Sequence, residues 1–461
     1  MLETVVLLTF AAMLFIGIIS KLPLYIPLSF GLGLFIVYGL IRGHKPGHLA
    51  HMAAEGLKSI GPVLQLFLVI GMLTSAWRAC GTIAAITCYS SYIITPQSLV
   101  VISFLLCSAM SFITGSSFAS AATIGVICMT IATAMGANYI LVGGAVISGA
   151  FFGDRTSPLS TTVNLVSTLT HTDVFNNVDR LLRIGFIPYL LCILIYATLG
   201  ILLGTHGSIP DFFSMFQGSF NLSPLAFLPT IAIIILSCLK VSVIKTMMAS
   251  LGIALVLCLT TQHIAPWDLA YIMIFGYTTN NAAIAHMVDG GGILSMGPVA
   301  LIVCIASTYS GLFAGTGLLN NLQTRIKSLA RKTTPFIGVL ATSLLTTLIA
   351  CDQILSIMLT KQLCNELEYG GEALALDLCN SASIITGFVP WSTVCVGLLA
   401  FLEANPSSCL LACYTYLIPL WMMCLSLYLK GHPDFIDTKF AQLLGIRDYD
   451  DARRFIERNA E

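Results

Sequence analysis

The sequence predicts an all-α polytopic membrane protein, and three observations lead to this fold class. Hydrophobic residues make up 57% of the 461 residues and charged residues only 9%, against about 25% charged in an average soluble domain. Apolar stretches long enough to cross a hydrocarbon core of about 30 Å recur along the chain. Several of them are interrupted by Gly, Pro, Ser, Thr or Asp, which is tolerated at membrane depth only where the backbone lines an internal or water-filled site.

About 11 to 13 transmembrane helices are expected in a transporter domain at 1–430, followed by a polar, cytoplasmic C-terminal tail at 431–461. Apolar runs predict full spans at 4–20, 24–42, 60–77, 98–113, 117–135, 138–152, 184–204, 225–239, 242–260, 266–285, 296–319, 335–350 and 409–429. Half-length segments, which suit broken helices or re-entrant hairpins, lie at 79–94, 159–169, 353–364 and 374–401. Because both halves contain such breaks, two inverted repeats are expected, at about 60–205 and 225–430.

The clearest interruption is a block in which an apolar run gives way to Gly153, Asp154, Arg155 and Pro158 and then resumes. A charge in hydrocarbon costs at least about 2.5–3.5 kcal/mol on insertion scales, so an intramembrane carboxylate is expected to serve a function. We favour this interpretation over an ordinary turn at the membrane surface. The block therefore predicts an ion or substrate site on a broken helix, as in a transporter.

Other breaks resemble the first. Polar residues interrupt an apolar run at 114–117, and in the C-terminal half they do so at 346–353 and at 380–391. The predicted ion or substrate site comprises Asp154, Ser157, Ser160, Asn164, Thr114, Ser116, Ser117, Asp352, Gln353, Asn380 and Ser381. Asp352 also has a second interpretation, as a structural acid that bonds to Thr346 or Thr347.

Oxygen atoms dominate the chemistry of these breaks. Hydroxyls, amides, carboxylates and unwound carbonyls suit a small hard cation such as Na+, whereas the breaks offer no His or Cys cluster for a transition metal. A carboxylate here binds either a cation or a proton, and competition for one group is a minimal mechanism of exchange. Half-helix N-termini could instead hold an organic anion, so the residues leave ion exchange and sodium-coupled carboxylate transport both open. No cofactor and no resident metal are expected.

The overall charge does not favour a nucleic-acid partner. With 21 basic and 21 acidic residues, the chain has no net charge to attract nucleic acid. The loops at 42–58 and 320–334 are basic, which predicts a cytoplasmic position for both.

Metal-like spacing occurs at His44, His48, His51 and Glu55, but Pro46 and Gly47 favour a solvated loop there. Gly149 and Gly153 have the spacing that lets membrane helices approach closely.

The chain resembles the NhaC-type Na+/H+ antiporter family. The resemblance is carried by Thr114-Gly-Ser-Ser117, Ala122-Thr-Ile-Gly125, Ser148-Gly-Ala-Phe-Phe-Gly-Asp-Arg-Thr-Ser-Pro-Leu-Ser160 with Asn164, Gly290-Gly-Gly292 before Ser295-Met296, Asp352-Gln353 and Val389-Pro-Trp391. Of these motifs, the Gly-Asp-Arg-x-Ser-Pro-Leu-Ser block is the specific one. The resemblance implies that Asp154 and Asp352 are the acids at matching positions.

The chain departs from the family pattern at ionisable positions. Relatives usually have Ser-Asp-Thr-Thr-Asn at 160–164, where this chain has Thr161 in place of the acid. Before the later Pro-Trp pair they usually carry an Arg and an acidic pair, where this chain has Leu376, Cys379 and Asn380. The presumed site therefore has fewer charges than a standard member. It is expected either to bind fewer ions in each cycle or to use an organic carboxylate to complete the coordination.

We therefore expect a secondary active transporter that exchanges Na+ for H+ across the cytoplasmic membrane at a midplane carboxylate site. Its expected partners are Na+, H+ and the lipid bilayer, with a homodimer as a candidate assembly. The alternative is a sodium- or proton-coupled exchanger of small organic acids, of the malate or lactate type, or of amino acids, since related branches of the family exchange such acids. An enzyme is not expected, because no HExxH or GxSxG pattern occurs.

Overall fold

The computed structural model describes residues 2–20, 22–23, 25–58, 60–90, 95–203, 212–239, 241–316, 323–364 and 370–432, and most of these residues are helical. Up to residue 203 the helices are α1 (Leu2–Ile19), α2 (Tyr25–Ile41), α3 (Pro46–Lys58), α4 (Gly61–Ala79), α5 (Thr82–Ser90), α6 (Pro96–Thr114), α7 (Ser117–Ser120), α8 (Val126–Ala134), α9 (Tyr139–Thr156), α10 (Thr161–Thr170) and α11 (Val174–Leu203).

The helices of the second half are α12 (Phe212–Gln217), α13 (Leu228–Cys238), α14 (Val243–Thr260), α15 (Pro266–Phe275), α16 (Ala282–Val288), α17 (Gly297–Thr316), α18 (Gln323–Lys332), α19 (Pro335–Ala350), α20 (Gln353–Cys364), α21 (Gly371–Asn380), α22 (Ala382–Ile385), α23 (Thr393–Phe401) and α24 (Cys413–Gly431). A π-helical turn (Ala121–Gly125) joins α7 to α8, and 3-10 turns lie at Pro224–Phe227, Ile293–Met296 and Pro406–Leu411. The described residues contain no β-strand, so the predicted all-α class is confirmed.

Five of the described helical segments are long and apolar enough to cross a membrane: Gly61–Ala79, Pro96–Thr114, Ser117–Ala134, Val174–Leu203 and Val243–Thr260. Shorter apolar helices are Tyr25–Ile41, Pro224–Cys238, Pro266–Phe275, Ile293–Tyr309 and Pro335–Leu348. Most predicted spans correspond to one helix each. Others are divided by breaks, so that two half-helices replace one continuous helix.

Three sequence predictions of local structure are corrected. The predicted span at 266–285 ends at Phe275, because Gly276 takes a φ of 99° and the next residue, Tyr277, bridges to Gly290. Four polar residues then follow at 278–281 before α16 begins. The predicted loop at 42–58 contains α3, since Pro46 stands at the start of the helix, where its missing N–H costs nothing. The predicted basic loop at 320–334 likewise contains α18. The predicted tail at 431–461 lies almost entirely outside the described residues.

Glycines bring α6 and α9 into direct backbone contact. A Cβ added to Gly153 would lie 2.0 Å from the carbonyl carbon of Ser111, and one added to Gly149 would lie 2.6 Å from the carbonyl oxygen of Phe104. The predicted close approach at this pair is therefore confirmed. Because Asp154 follows Gly153 directly, the same contact fixes the position of its backbone.

Candidate functional site

The break after α9 is closed by a helix cap and lies against the break after α6. Ser157 has an extended backbone, with φ −85° and ψ 136°, so α9 stops there. Ser160 then caps α10, since its Oγ accepts a hydrogen bond from the main-chain N–H of Val163 at 3.4 Å. Gly115, with a φ of 68°, packs so closely that an added Cβ would lie 2.5 Å from the carbonyl carbon of Leu159. These contacts bring the two breaks of the N-terminal half together.

Asp154 lies at the centre of this arrangement and is only 4% exposed. Its Oδ2 accepts a hydrogen bond from Gln353 Nε2 at 2.8 Å. Thr162 Oγ1 lies 3.4 and 3.5 Å from the two carboxylate oxygens, and Ser160 Oγ lies 3.5 Å from Oδ1 while donating to the Asp154 main-chain carbonyl at 2.5 Å. The carboxylate is therefore surrounded by neutral donors that can reorient around a cation.

Gln353 links the two halves of the chain at this point. Besides its bond to Asp154, its Nε2 donates to the main-chain carbonyl of Ser383 at 2.7 Å. The same carbonyl accepts from Thr386 Oγ1 at 2.9 Å. The Ser383 hydroxyl is buried without a hydrogen-bond partner. The second half therefore contributes an amide, a carbonyl and an unpartnered hydroxyl close to the carboxylate.

Arg155 is buried beside Asp154 but turns toward another set of partners. Its Nε and Nη2 donate to Asn380 Oδ1 at 2.8 and 2.6 Å, and its Nη1 donates to the Tyr414 hydroxyl at 2.8 Å. Nη2 also donates to the main-chain carbonyl of Leu181 at 3.2 Å. Consecutive helical residues point about 100° apart, so the carboxylate and the guanidinium occupy separate faces of α9.

Asp352 stands at the start of α20, where its Oδ1 accepts a hydrogen bond from the Leu355 main-chain N–H at 2.9 Å. This is the geometry of a helix N-cap. Thr346 and Thr347, the partners considered for a structural Asp352, bond to the Ser356 hydroxyl at 3.0 and 2.8 Å. Gln353, the residue after Asp352, is therefore the one whose side chain contacts the Asp154 carboxylate.

The predicted residues of the first break have local roles. Thr114 Oγ1 donates to the Met110 main-chain carbonyl at 2.9 Å. Ser116 caps α7 by accepting from the Ala119 N–H at 3.2 Å, and Ser117 is buried in its first turn. These side chains shape the break, whereas the hydrogen bonds found for Asp154 come from other residues.

The predicted residues Ser157 and Asn164 satisfy backbone groups at the second break. Ser157 Oγ accepts from the Leu159 N–H at 3.2 Å. Asn164 Nδ2 donates to the main-chain carbonyls of Pro158 and Ser160 at 3.0 and 2.7 Å. Asn164 thereby occupies the Pro158 carbonyl and adds a second hydrogen bond to the Ser160 carbonyl, which also accepts the Asn164 main-chain N–H at 3.1 Å.

Sequence reasoning missed one buried acid and several polar partners. Asp377 is fully buried, and its main-chain carbonyl accepts from the predicted site residue Ser381 at 2.6 Å. The signal was present, because an acid in the apolar segment at 374–401 is the same type of feature that identified Asp154. Thr162 and Tyr414 had no comparable signal, since hydroxyls are common in membrane helices.

A resident metal site finds no support in the described part of the chain, which holds no group of three or more His, Cys, Asp or Glu side chains able to bind a metal ion. His51 and Glu55 lie 3.6 Å apart on the exposed face of α3. The hard oxygen donors around Asp154 remain the candidate ion ligands.

A profile of the Na+/H+ antiporter family matches residues 149–430, more than half of the chain, and this segment contains Asp154, Gln353 and Asn380. The chain belongs to the Na+/H+ antiporter family. The Na+/H+ antiporter NhaC of Alkalihalophilus pseudofirmus is 28% identical over 387 residues, covering 81% of this chain and 83% of that protein. NhaC of Bacillus subtilis is 27% identical over 351 residues, with 73% and 77% covered.

A further relative within the antiporters has a different named cargo. The malate-2H+/Na+-lactate antiporter of Bacillus subtilis is 22% identical over 398 residues, covering 82% of this chain and 84% of that protein. The predicted resemblance to NhaC-type Na+/H+ antiporters is thus confirmed. Together with the apolar helices, family membership makes this chain a multi-pass membrane protein.

Proposed function

We propose that this protein is a secondary active transporter that exchanges Na+ for H+ across the cytoplasmic membrane at the Asp154 carboxylate. The observation that carries the proposal is the environment of Asp154: a buried carboxylate at a helix break, bonded by Gln353 and approached by the hydroxyls of Thr162 and Ser160. Hydroxyl oxygens, the amide oxygen and the carboxylate are the hard ligands that a small cation prefers.

Exchange follows from competition for this one group. When Asp154 is protonated, its neighbours can bond to the neutral acid. When Na+ binds, the hydroxyls of Thr162 and Ser160 can turn their oxygens toward the ion. The same carboxylate cannot hold both cations, so movement of Na+ in one direction is coupled to movement of H+ in the other.

Contributions from both halves of the chain support alternating access. Asp154 and Thr162 belong to the half expected at about 60–205, whereas Gln353 and Ser383 belong to the half expected at about 225–430. If the halves are inverted repeats, a rocking movement of one against the other would expose the site first to one side and then to the other.

A small ion fits the site better than an organic acid. The hydroxyls of Thr162 and Ser160 lie 3.4 and 3.5 Å from the carboxylate, so small rotations would turn their oxygens toward a bare cation. Cavities of about 440 and 410 Å³ in the described structure are lined by residues such as Arg78, Asp289 and Glu403 instead.

The test is proton flux in liposomes that contain the purified protein, an imposed sodium gradient and no organic solute. We expect sodium-driven proton movement, read by an internal pH indicator. Protein-free liposomes and an imposed choline gradient serve as controls. Proton flux that is absent until a small organic acid or amino acid is added on the opposite side would overturn Na+/H+ exchange and favour the alternative cargo.

Asp352→Asn is expected to change the KM for Na+ and the pH dependence of transport by less than about twofold. The reason is that asparagine caps a helix about as well as aspartate does, and the Asp352 side chain bonds to the α20 backbone. Sodium titrations of flux at several pH values measure both quantities.

Asp352→Ala is the matched control, because it removes the cap and should lower the free energy of unfolding by about 1 kcal/mol. A changed pH dependence in Asp352→Asn, at normal protein abundance, would show that this carboxylate takes part in ion or proton binding.

A further inference from the structure

Arg155 keeps its full positive charge inside the protein. Arg155 is 1% exposed, and an arginine guanidinium is a cation with five N–H donors and no acceptor. Its hydrogen-bond partners are an amide oxygen, a phenol hydroxyl and a main-chain carbonyl. Among the described residues, no carboxylate lies within ion-pair distance of it. A buried cation held only by neutral groups exerts its field on whatever lies beside it.

Asn380 is the residue that holds this cation in place. Its Oδ1 accepts two of the guanidinium hydrogen bonds, at 2.8 and 2.6 Å, while its Nδ2 is buried without a hydrogen-bond partner. Leaving a buried donor unsatisfied is unfavourable. The side chain is therefore used for its oxygen alone, and a carboxylate of the same shape would fit the same place without the unsatisfied donor.

Asp154 is the residue before Arg155 on α9, so the carboxylate site and the buried cation lie on neighbouring positions of one helix. The Cys379 thiol lies within electrostatic reach of both side chains. Other titratable groups on the surrounding helices include Tyr189, Cys192 and Tyr196 on α11, Asp352 at the start of α20, Asp377 on α21 and Tyr414 on α24. Near the start of α11, Arg180 pairs with Glu372 of α21 and Arg183 pairs with Asp179. Helix α10 carries no charged residue. None of these groups is altered in the variants of Asn380 and Arg155 considered below.

We propose that Asn380 is a positioning residue that holds Arg155 beside Asp154 as a cation without a counter-charge, and that this charge sets the affinity of the site for Na+. The inference rests on the proposed function and deepens it. A positive charge near a cation site weakens the binding of Na+ and of H+ together, because both carry the same charge. With the neutral amide of Asn380, the site therefore binds Na+ and H+ more weakly than it would with a carboxylate at the same position.

Asn380→Asp should neutralise Arg155 and strengthen the binding of Na+ and of H+ by a similar factor, which is about tenfold for a charge interaction of about 1.4 kcal/mol. At alkaline pH, where few protons compete for the site, the KM for Na+ should fall about tenfold. At acidic pH, the tighter binding of H+ offsets the tighter binding of Na+, so the KM for Na+ should stay unchanged. The pH below which protons begin to raise the KM should therefore move upward by about one unit.

The experiment measures the KM for Na+ in liposomes from acidic to alkaline pH for wild type, Asn380→Asp and Asn380→Gln. The glutamine variant keeps a neutral amide oxygen and should show the wild-type pH dependence. If Asn380→Asp fails to fold, Arg155→Gln tests the same point, since it removes the charge and should shift the KM in the same direction. Arg155→Lys keeps the charge and should leave the pH dependence in place.

A fall in the maximal rate with an unchanged KM and an unchanged pH dependence would overturn the role of Asn380 and Arg155, even though exchange itself persists. Absence of exchange in the wild-type protein would instead overturn the proposed function, and this inference with it. The two failures are therefore told apart by the wild-type measurement.

Discussion

Asp154→Asn is expected to reduce sodium-driven proton flux to the level of protein-free liposomes, while the protein still inserts and folds. Asparagine keeps the size of the side chain and can still accept the hydrogen bond from Gln353 Nε2 that the structure shows. Under the proposed mechanism it loses the charge that binds Na+ and the proton that Na+ displaces. Flux in liposomes and the melting temperature in detergent measure the two parts of this prediction.

Asp179→Asn is the matched control for this variant. Asp179 pairs with Arg183 on an exposed face of α11, with 58% of its side chain accessible, and such surface pairs contribute little. The Asp179→Asn variant is expected to show the wild-type proton flux. Sodium-driven exchange at the wild-type rate in Asp154→Asn would remove Asp154 from the ion site.

Gly153→Ala is expected to destabilise the protein by about 2 kcal/mol or more and to lower exchange in the fraction that folds. The added Cβ would lie 2.0 Å from the Ser111 carbonyl carbon, and overpacking of a closely packed contact costs about 1–3 kcal/mol or more. Alanine regains only about 1 kcal/mol through its helix propensity. The clash therefore outweighs the gain, and α9 must move away from α6 together with Asp154.

Gly252→Ala provides the control for the same substitution. Gly252 lies inside α14, and an added Cβ would meet no atom within 4 Å. Its stability is expected to stay equal or rise slightly. Equal melting temperatures for Gly153→Ala and Gly252→Ala would contradict the close contact between α6 and α9.

The sequence predicted the breaks in the helices better than the side chains that meet at them. The acid in a Gly-Asp-Arg block and the Pro158 after it mark the end of α9, because such residues disrupt an apolar helix. The direction of a side chain depends instead on where the next helix begins. Asp352 and Gln353 are neighbours, and only the start of α20 at Gln353 places the acid at the cap and the amide against Asp154.

Hydrogen-bond partners that are far apart in the chain could not be predicted from the sequence for a related reason. Arg155 bonds to Asn380 and Tyr414, which are 225 and 259 residues away. Asn380 was predicted as a site residue from the polar break in its own segment, but nothing local to Asn380 or to Tyr414 indicates a contact with Arg155. The break after Phe275 was missed because Gly276 resembles the many glycines that serve only helix packing, until its φ of 99° is known.

Competition between Na+ and H+ for Asp154 can be tested directly by infrared difference spectroscopy of the purified protein. At a fixed pH where the site is protonated, adding Na+ should remove the C=O stretching band of a carboxylic acid and produce a carboxylate band. Asp154→Asn should lack this change, whereas Asp352→Asn and Asp179→Asn should keep it. A sodium-induced loss of the acid band that persists in Asp154→Asn would place the exchange site on another carboxyl group and contradict the account.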